Sequence, residues 1–241
     1  MKRLLFTLVI VMAYGISNAQ LFKVFGHEVG YIYVGPRLGM NFSKFSDFNG
    51  TYEKSRFGYE FGAVGEFGFT TRFSIQTELM FLSKGSRDEN FGKIRMNYIG
   101  IPILAKYGFR ALGLDKVYVM GGTFANVRVG GAWVYDDGTT YELGGGMKKF
   151  EWGMGLGAGA QYPFKTGVAA LDLRYSLGFS DIHSDDNITT HSRSFEVILT
   201  YKFDLVDLMF KLKKNKTPEP EPAGNEVDSN NAKGLKIEKR N

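Results

Sequence analysis

The chain has 241 residues, of which 31 are Gly and none is Cys, and aromatic residues make up 15% of it. Without Cys, a disulfide framework, a thiolate metal site and an acylated N-terminal cysteine are all excluded. The net charge of +5 does not indicate nucleic-acid binding, because Gln20 to Phe210 hold 20 basic and 20 acidic residues.

The first 19 residues have the pattern of a secretory signal peptide. Lys2 and Arg3 form a basic start, Leu4 to Gly15 an apolar stretch, and Ser17-Asn18-Ala19 a cleavage site of small residues. The apolar stretch is too short for a transmembrane helix, and no later segment approaches the roughly 20 apolar residues that one needs. We therefore expect residues 20–30 to be a short lead-in to the folded part, and any membrane span to be a β-strand.

Most of the remaining chain alternates apolar and small or polar residues with a period of two. In residues 56–69, the aromatic residues Phe57, Tyr59 and Phe61 alternate with Gly58, Glu60 and Gly62. This period is that of a β-strand with one apolar and one polar face. Tilted strands of about 9 to 11 residues are long enough to cross a bilayer.

The pattern predicts eight strands, at residues 31–44, 56–69, 72–84, 94–109, 115–130, 149–162, 167–180 and 193–204. We therefore predict an all-β fold, an eight-stranded antiparallel up-and-down transmembrane β-barrel over residues 31–204. Eight strands enclose a bore that side chains can fill.

The predicted connections differ in length at the two ends of the barrel. Long polar connections follow strands 1, 3, 5 and 7, at residues 46–55, 85–93, 131–148 and 181–192. The others are short, as at residues 70–71 and 163–166. Outer-membrane barrels have long extracellular loops and short periplasmic turns. The prediction is therefore an outer-membrane protein with both termini in the periplasm.

The strand pattern points eleven charged side chains into the bore. They are Arg37, Lys106, Arg128, Arg174, Lys202, Glu60, Glu66, Glu78, Glu151, Asp172 and Glu196. An unpaired charge in a narrow, low-dielectric interior is costly. We therefore expect these groups to pair into a network that closes the lumen to ions.

The composition changes after the last strand. Residues 205–212 still carry apolar side chains, whereas residues 213–241 are rich in Lys, Pro and Glu with almost nothing to bury. We expect a short apolar extension followed by a disordered, basic periplasmic tail. The tail is either a solvated run or a contact for acidic lipid or for a periplasmic or secretion-system protein.

Several motifs together resemble the small outer-membrane β-barrels of Bacteroidetes, the porin-family or PorT-like proteins. The matching segments are Gly35 to Ser43, Phe73 to Gly85, Asn97 to Tyr107, Gly155 to Gly159, Asp172 to Gly178 and Leu199 to Phe203. The resemblance covers residues 31–203 and implies an eight-stranded outer-membrane barrel of a family mostly without known function. The PorT-like branch of that family is associated with type IX protein secretion. The chain departs from that family in continuing for 38 residues beyond Phe203.

No motif rises to a catalytic, cofactor or metal site. His183 and His191 bracket an acidic loop, which loop polarity explains better than metal binding or a protease-like His/Asp pair. Asp136-Asp137-Gly138 has the chemistry of a turn rather than of a calcium site. The glycines from Gly153 to Gly159 continue the strand period, so they indicate a tight bore and no phosphate loop.

The sequence therefore predicts a non-enzymatic outer-membrane protein without cofactors, which has a structural or interaction role. Its expected partners are outer-membrane lipid and the barrel-assembly machinery. The alternative is a narrow pore for ions or small solutes. An outer-membrane enzyme would need a nucleophile or paired acids at the outer rim, which the sequence does not offer.

Overall fold

The computed structural model describes residues 23–24, 27–28, 30–47, 54–88, 92–111, 114–144, 146–184 and 189–205. The predicted signal peptide, the tail at residues 213–241 and nearly all of the apolar extension lie outside these residues. Within the described part, no helix is long and apolar enough to cross a membrane.

The structure consists of β-strands. In chain order they are β1 (Lys23–Val24), β2 (His27–Glu28), β3 (Tyr31–Asp47), β4 (Lys54–Gly68), β5 (Phe73–Asp88), β6 (Gly92–Ala111), β7 (Leu114–Val134), β8 (Thr140–Glu142), β9 (Phe150–Phe164), β10 (Gly167–Gly178) and β11 (Thr190–Asp204). β1 and β2 pair only with each other, within the segment predicted as a lead-in.

Eight of these strands close into a barrel. Each of β3 to β7 and β9 to β11 pairs antiparallel with its chain neighbours, and β11 pairs back onto β3, for example Val197 with Met40. β8 pairs only with the end of β7, outside the ring. The predicted eight-stranded, antiparallel, up-and-down barrel is therefore confirmed.

The two faces of the wall differ as the period of two predicts. On β4, Phe57, Tyr59 and Phe61 are about half exposed on the outer face, whereas Glu60 and Glu66 are buried inside. Apolar side chains stay outside because lipid tails, and not water, surround a membrane barrel.

The strands are longer than predicted at one end. β5 and β6 pair as far as Asp88 with Gly92, so the long loop predicted at residues 85–93 is wrong, and only residues 89–91 connect them. The alternation was missed there because both faces become polar beyond the apolar belt. β7 continues to Val134 and, at about 3.4 Å per residue, exceeds the roughly 30 Å of a bilayer core even when tilted.

The hairpins β3–β4, β5–β6 and β10–β11, and the β7–β9 connection that carries β8, project at this end, which we call the loop end. At the opposite turn end, the connections are residues 69–72, 112–113 and 165–166. The loop end therefore has the material for a cap over the bore, and the turn end does not.

Candidate functional site in the barrel lumen

The inner row of the barrel is lined by charged side chains that the sequence pattern predicted. Ten of the eleven predicted inward charges are buried: Arg37, Glu60, Glu66, Glu78, Lys106, Glu151, Asp172, Arg174, Glu196 and Lys202. Arg128 is partly exposed at the loop end. Three carboxylates, Glu66, Glu78 and Glu151, organise these charges from the turn end towards the loop end.

Glu66 is the first centre, nearest the turn end, and it accepts hydrogen bonds from several strands. Lys106 Nζ donates to Oε2 at 3.1 Å, and Lys202 Nζ donates to the same oxygen. Gln161 Nε2 is 3.3 Å from Oε2, while Ser74 Oγ donates to Oε1 at 2.8 Å. Donors from six other strands, including Tyr31 on β3 and Lys116 on β7, thus converge on one carboxylate and draw the turn end of the barrel together.

Glu78 is the second centre. Arg174 donates to both of its oxygens, NH2 to Oε1 at 2.8 Å and NH1 to Oε2 at 3.1 Å. Arg37 forms an ion pair with Oε1 of the same carboxylate. Glu60 and Glu196 stand further out, 3.7 Å from Arg37 and 3.8 Å from Arg174. Because β5 and β10 lie on opposite walls, the Arg174–Glu78 contact crosses the bore.

Glu151 is the third centre, nearest the loop end. Asn126 Nδ2 donates to its Oε2 at 2.9 Å, and Ser192 Oγ donates to Oε1. Lys84 lies 3.9 Å away as its ionic partner and is itself buried. The prediction of inward charges omitted Lys84 and Lys116, although Lys84 has the same strand parity as Glu78.

Aromatic side chains complete the charged layer. The Tyr118 hydroxyl donates to Asp172, and Lys106 Nζ lies 3.8 Å from the centre of the Tyr118 ring. A desolvated cation over an aromatic face is stabilised by the ring quadrupole. The Tyr118 ring therefore stabilises the Lys106 ammonium in the position from which it donates to Glu66.

A second layer, which the sequence analysis did not predict, is apolar. Its buried members come from β3, β5, β6 and two loops, with Trp133 packed against them: Phe45, Met80, Leu82, Ile94, Met96, Tyr98, Leu143, Met147 and Ile182. We call this set the apolar cap. The available signal was that Ile94, Met96 and Tyr98 share their strand parity with the inward Lys106.

Polar contacts hold the two loops of the cap in place. Arg128 donates to the carbonyl oxygens of Leu143 at 3.1 Å and Met147 at 2.7 Å. Lys148 Nζ donates to Asp181 Oδ2 at 2.7 Å, which joins the β7–β9 loop to the β10–β11 loop. A side chain at Gly131 would collide with Leu143, so this glycine makes room for the cap.

Asp181 is the polar centre of the β10–β11 loop. Its Oδ1 accepts the backbone N–H groups of His183 at 3.0 Å and Thr190 at 2.9 Å. Burial raises the pKa of Asp181, but the hydrogen bonds from Lys148 and from these two N–H groups outweigh burial and leave the pKa below its ordinary value. The ionised form is therefore the one that fits this loop.

A small cavity separates the two layers. Its lining mixes polar and apolar side chains: Glu60, Glu78, Lys84, Thr123, Asn126, Arg174, Ser176 and Glu196 together with Met80, Leu82, Pro102, Leu104, Phe124 and Gly155. It accommodates about one water molecule. Elsewhere on the inner face, the Asn41 amide and Thr200 Oγ1 are buried without a hydrogen-bond partner among the described residues.

The other residues that the sequence analysis weighed have local contacts, while residues 185–188 of the acidic loop lie outside the described residues. His191 Nδ1 lies 3.3 Å from the Ser180 carbonyl oxygen, and His183 forms a β-bridge with Met147. Among the described residues, no three His, Asp or Glu side chains cluster as metal ligands would. Asp137 accepts the Thr139 N–H at 2.8 Å within a turn, and Gly153 to Gly159 lie on the inner row of β9.

A closed eight-stranded barrel with an apolar outer belt and a polar lumen is the architecture of a small outer-membrane protein. A family model described as "Outer membrane protein beta-barrel domain" matches residues 18–184. This span exceeds half of the chain, so the protein belongs to that family, and membership indicates the outer membrane as its location. No curated protein matches the sequence.

Solved structures of small barrels resemble this fold at low identity. Ail, the attachment invasion locus protein of Yersinia pestis, is 14% identical with a TM-score of 0.38, over 72% of this chain and 99% of Ail. OprG from Pseudomonas aeruginosa is 12% identical with a TM-score of 0.44, over 75% of this chain and 99% of OprG. Neisserial surface protein A is 14% identical with a TM-score of 0.43, over 71% and 97%.

Proposed function

We propose that this protein is a non-enzymatic outer-membrane barrel with a closed lumen that presents its loop end as an interaction surface. The observation that carries the proposal is the double closure of the bore. The Arg174–Glu78 pair crosses the bore, and the apolar cap covers it at the loop end. Two independent layers would have to rearrange before an ion could pass.

We further propose that the loop end is extracellular and that both termini are periplasmic. Three of the four loop-end connections are longer than any turn-end connection, and the projecting hairpins lie at the same end, which agrees with the usual arrangement of outer-membrane barrels. Protease added to intact cells should cut the protein only within the loop-end connections. Cleavage at the turn-end connections, such as residues 165–166, would contradict the proposed orientation and indicate the opposite one.

Conductance is the direct test of a closed lumen. The purified protein, inserted into planar bilayers, should give no stable single-channel currents. A matched variant with both layers weakened, Arg174→Ser with Leu143→Ser and Met147→Ser, should give currents if the layers are what closes the bore. Stable currents from the unmodified protein would instead support a pore.

The second candidate is a narrow pore for ions or small solutes. It is favoured by the cavity in the bore and by the buried polar atoms of Asn41 and Thr200, which have no hydrogen-bond partner within the described part of the chain. On this reading, displacement of the apolar cap would join the cavity to the exterior. A disulfide engineered between the two cap loops would test this alternative. Voltage-dependent channel openings that disappear when the disulfide forms would favour the pore.

The resemblance to PorT-like barrels supports a finer proposal, an accessory role in type IX secretion. Residues 213–241 are the segment that we propose to contact a periplasmic or secretion-system protein. Deletion of these residues should remove crosslinked partners from native membranes and reduce protein secretion. An unchanged set of partners together with unchanged secretion would contradict this role.

A further inference from the structure

The outer face of the barrel at the loop end carries a band of basic side chains. The band covers five neighbouring strands, β11, β3, β4, β5 and β6, and consists of Lys44, Lys54, Arg56, Arg87, Lys93, Arg95 and Arg193. We call it the basic rim. Six of its members are placed outside by strand parity and register, and Arg56 by the contacts of its side chain.

The rim follows directly on the lipid-facing belt. On β3 the exposed Phe42 precedes Lys44, and on β11 the exposed Phe195 follows Arg193. Lys44 and Arg193 are direct partners across the β3–β11 pair. The charged groups therefore stand one step beyond the last large apolar side chains, which is the level of lipid headgroups.

Register places several like charges side by side. Lys54 is the cross-strand partner of Arg87, which is in turn the partner of Lys93. A register shift in β4 between Ser55 and Glu60 brings Arg56 over Gly85, the partner of Arg95. There the charges of Arg56 and Arg95 are close enough to repel each other.

Directly opposed like charges destabilise a sheet unless something of the opposite sign lies between them. The acidic side chains described on these five strands are buried in the bore, except for Asp204 at the turn end. Among the described residues, no carboxylate forms an ion pair with Arg87, Lys93, Arg95 or Arg193. The described part of the wall therefore supplies no carboxylate as a counter-charge for these four cations, and an anion from outside the wall can take that place.

We propose that the basic rim binds the phosphate groups of membrane lipid at the loop end. Arginine matches phosphate oxygens with two parallel hydrogen bonds, and lysine adds a point charge. The acyl chains of such a lipid would lie against the apolar belt below, beside Phe57, Phe81 and Ile99. That the lipid belongs to the outer leaflet rests on the proposed orientation.

The test uses the purified full-length protein folded in micelles and offered lipid A with its phosphates or the same lipid dephosphorylated. Native mass spectrometry counts the bound lipid. The variant Arg87→Gln/Lys93→Gln/Arg95→Gln is compared with Arg72→Gln/Arg110→Gln/Lys165→Gln, which removes three exposed positive charges at the turn end. Compact migration on unheated gels verifies that both variants are folded.

The phosphorylated lipid should remain bound to the unmodified protein and to the turn-end variant. The rim variant should bind it at least about tenfold more weakly, since each basic side chain near an anionic surface contributes about 1 kcal/mol. Equal losses in both variants, or equal binding of the dephosphorylated lipid, would overturn the proposal. So would binding of a soluble sulfated polysaccharide in place of the lipid.

This outcome is separable from that of the proposed function. Lipid binding in micelles depends neither on the orientation in the cell nor on a closed lumen. A conducting barrel would remove the proposed function and leave the rim intact, whereas a failed lipid test would leave the closed lumen untouched.

Discussion

Arg174 on β10 donates two hydrogen bonds to Glu78 on β5, and these strands stand four positions apart in a ring of eight. The pair therefore spans the full bore. It joins opposite walls that share no backbone hydrogen bond, and it positions Arg37 and Glu196 around it. A bidentate geometry with full burial makes this contact the central strut of the lumen.

Removing one partner of this strut should destabilise the barrel strongly. Arg174→Met leaves the Glu78 carboxylate buried with Arg37 as its remaining cation, and loss of one partner of a buried pair costs about 3–5 kcal/mol. Urea unfolding in micelles, followed by tryptophan fluorescence, measures the free energy of unfolding. Arg72→Met, an exposed change at the turn end, is the control, and a loss below about 1 kcal/mol for Arg174→Met would contradict a structural role.

Two glycines on the inner row of β9 should respond differently to Ala. A Cβ at Gly153 would lie 2.0 Å from the Leu177 carbonyl oxygen and 2.6 Å from the Phe124 ring, whereas at Gly155 its nearest neighbour is Arg174 Cδ at 3.4 Å. Gly153→Ala should cost about 1–3 kcal/mol or more through overpacking. Gly155→Ala should be nearly neutral, and equal folding yields on unheated gels would refute the distinction.

Arg128 should control how firmly the apolar cap is held. Arg128→Met removes the donors that reach the carbonyl oxygens of Leu143 and Met147, and hydrogen bonds to a charged group contribute about 1.5–3 kcal/mol each. Limited trypsin digestion at Lys148 and Lys149 should then be about tenfold faster or more.

Arg95→Met serves as the control for that experiment, because Arg95 is an exposed cation on the outer wall. Its digestion rate at Lys148 and Lys149 should match that of the unmodified protein. If Arg128→Met is digested no faster than Arg95→Met, the loops owe their position to apolar packing alone.

The β10–β11 loop should loosen in acid because of Asp181. Its pKa in the folded protein is lowered by Lys148 and by the N–H groups of His183 and Thr190, relative to about 3.9 when unfolded. The stabilisation is therefore complete above about pH 4 and is lost as the pH falls through the lower folded pKa.

Hydrogen exchange of the His183 and Thr190 amides, corrected for the intrinsic pH dependence, measures this effect. Protection should fall below about pH 4 in the unmodified protein and be low at every pH in Asp181→Asn. Asp137→Asn, which affects only the Thr139 turn, should retain the acid-dependent step at residues 183 and 190. A protection that does not change with pH would exclude Asp181 as the anchor.

The period of two was enough to predict the strands and the inward charges, because each side chain on a strand must face either lipid or lumen. The same period did not predict the inward position of Lys84 or the apolar cap, because both lie beyond the belt of lipid-facing apolar side chains. Beyond the lipid belt the outer face no longer has to be apolar, so the alternation of Ile94, Met96 and Tyr98 with polar outer residues was not interpreted. The loop predicted at residues 85–93 was wrong because both faces of the strands are polar there, so no alternation marks them.

The sequence by itself determined which side chains line the bore, since parity along a strand needs no knowledge of the neighbouring strand. Only the tertiary structure decided which of them meet. Glu78 and Arg174 are 96 residues apart, and their contact depends on the register of every pairing between β5 and β10 and on closure of the ring. The same closure brings Leu143 and Ile182, from two separate loops, over one mouth.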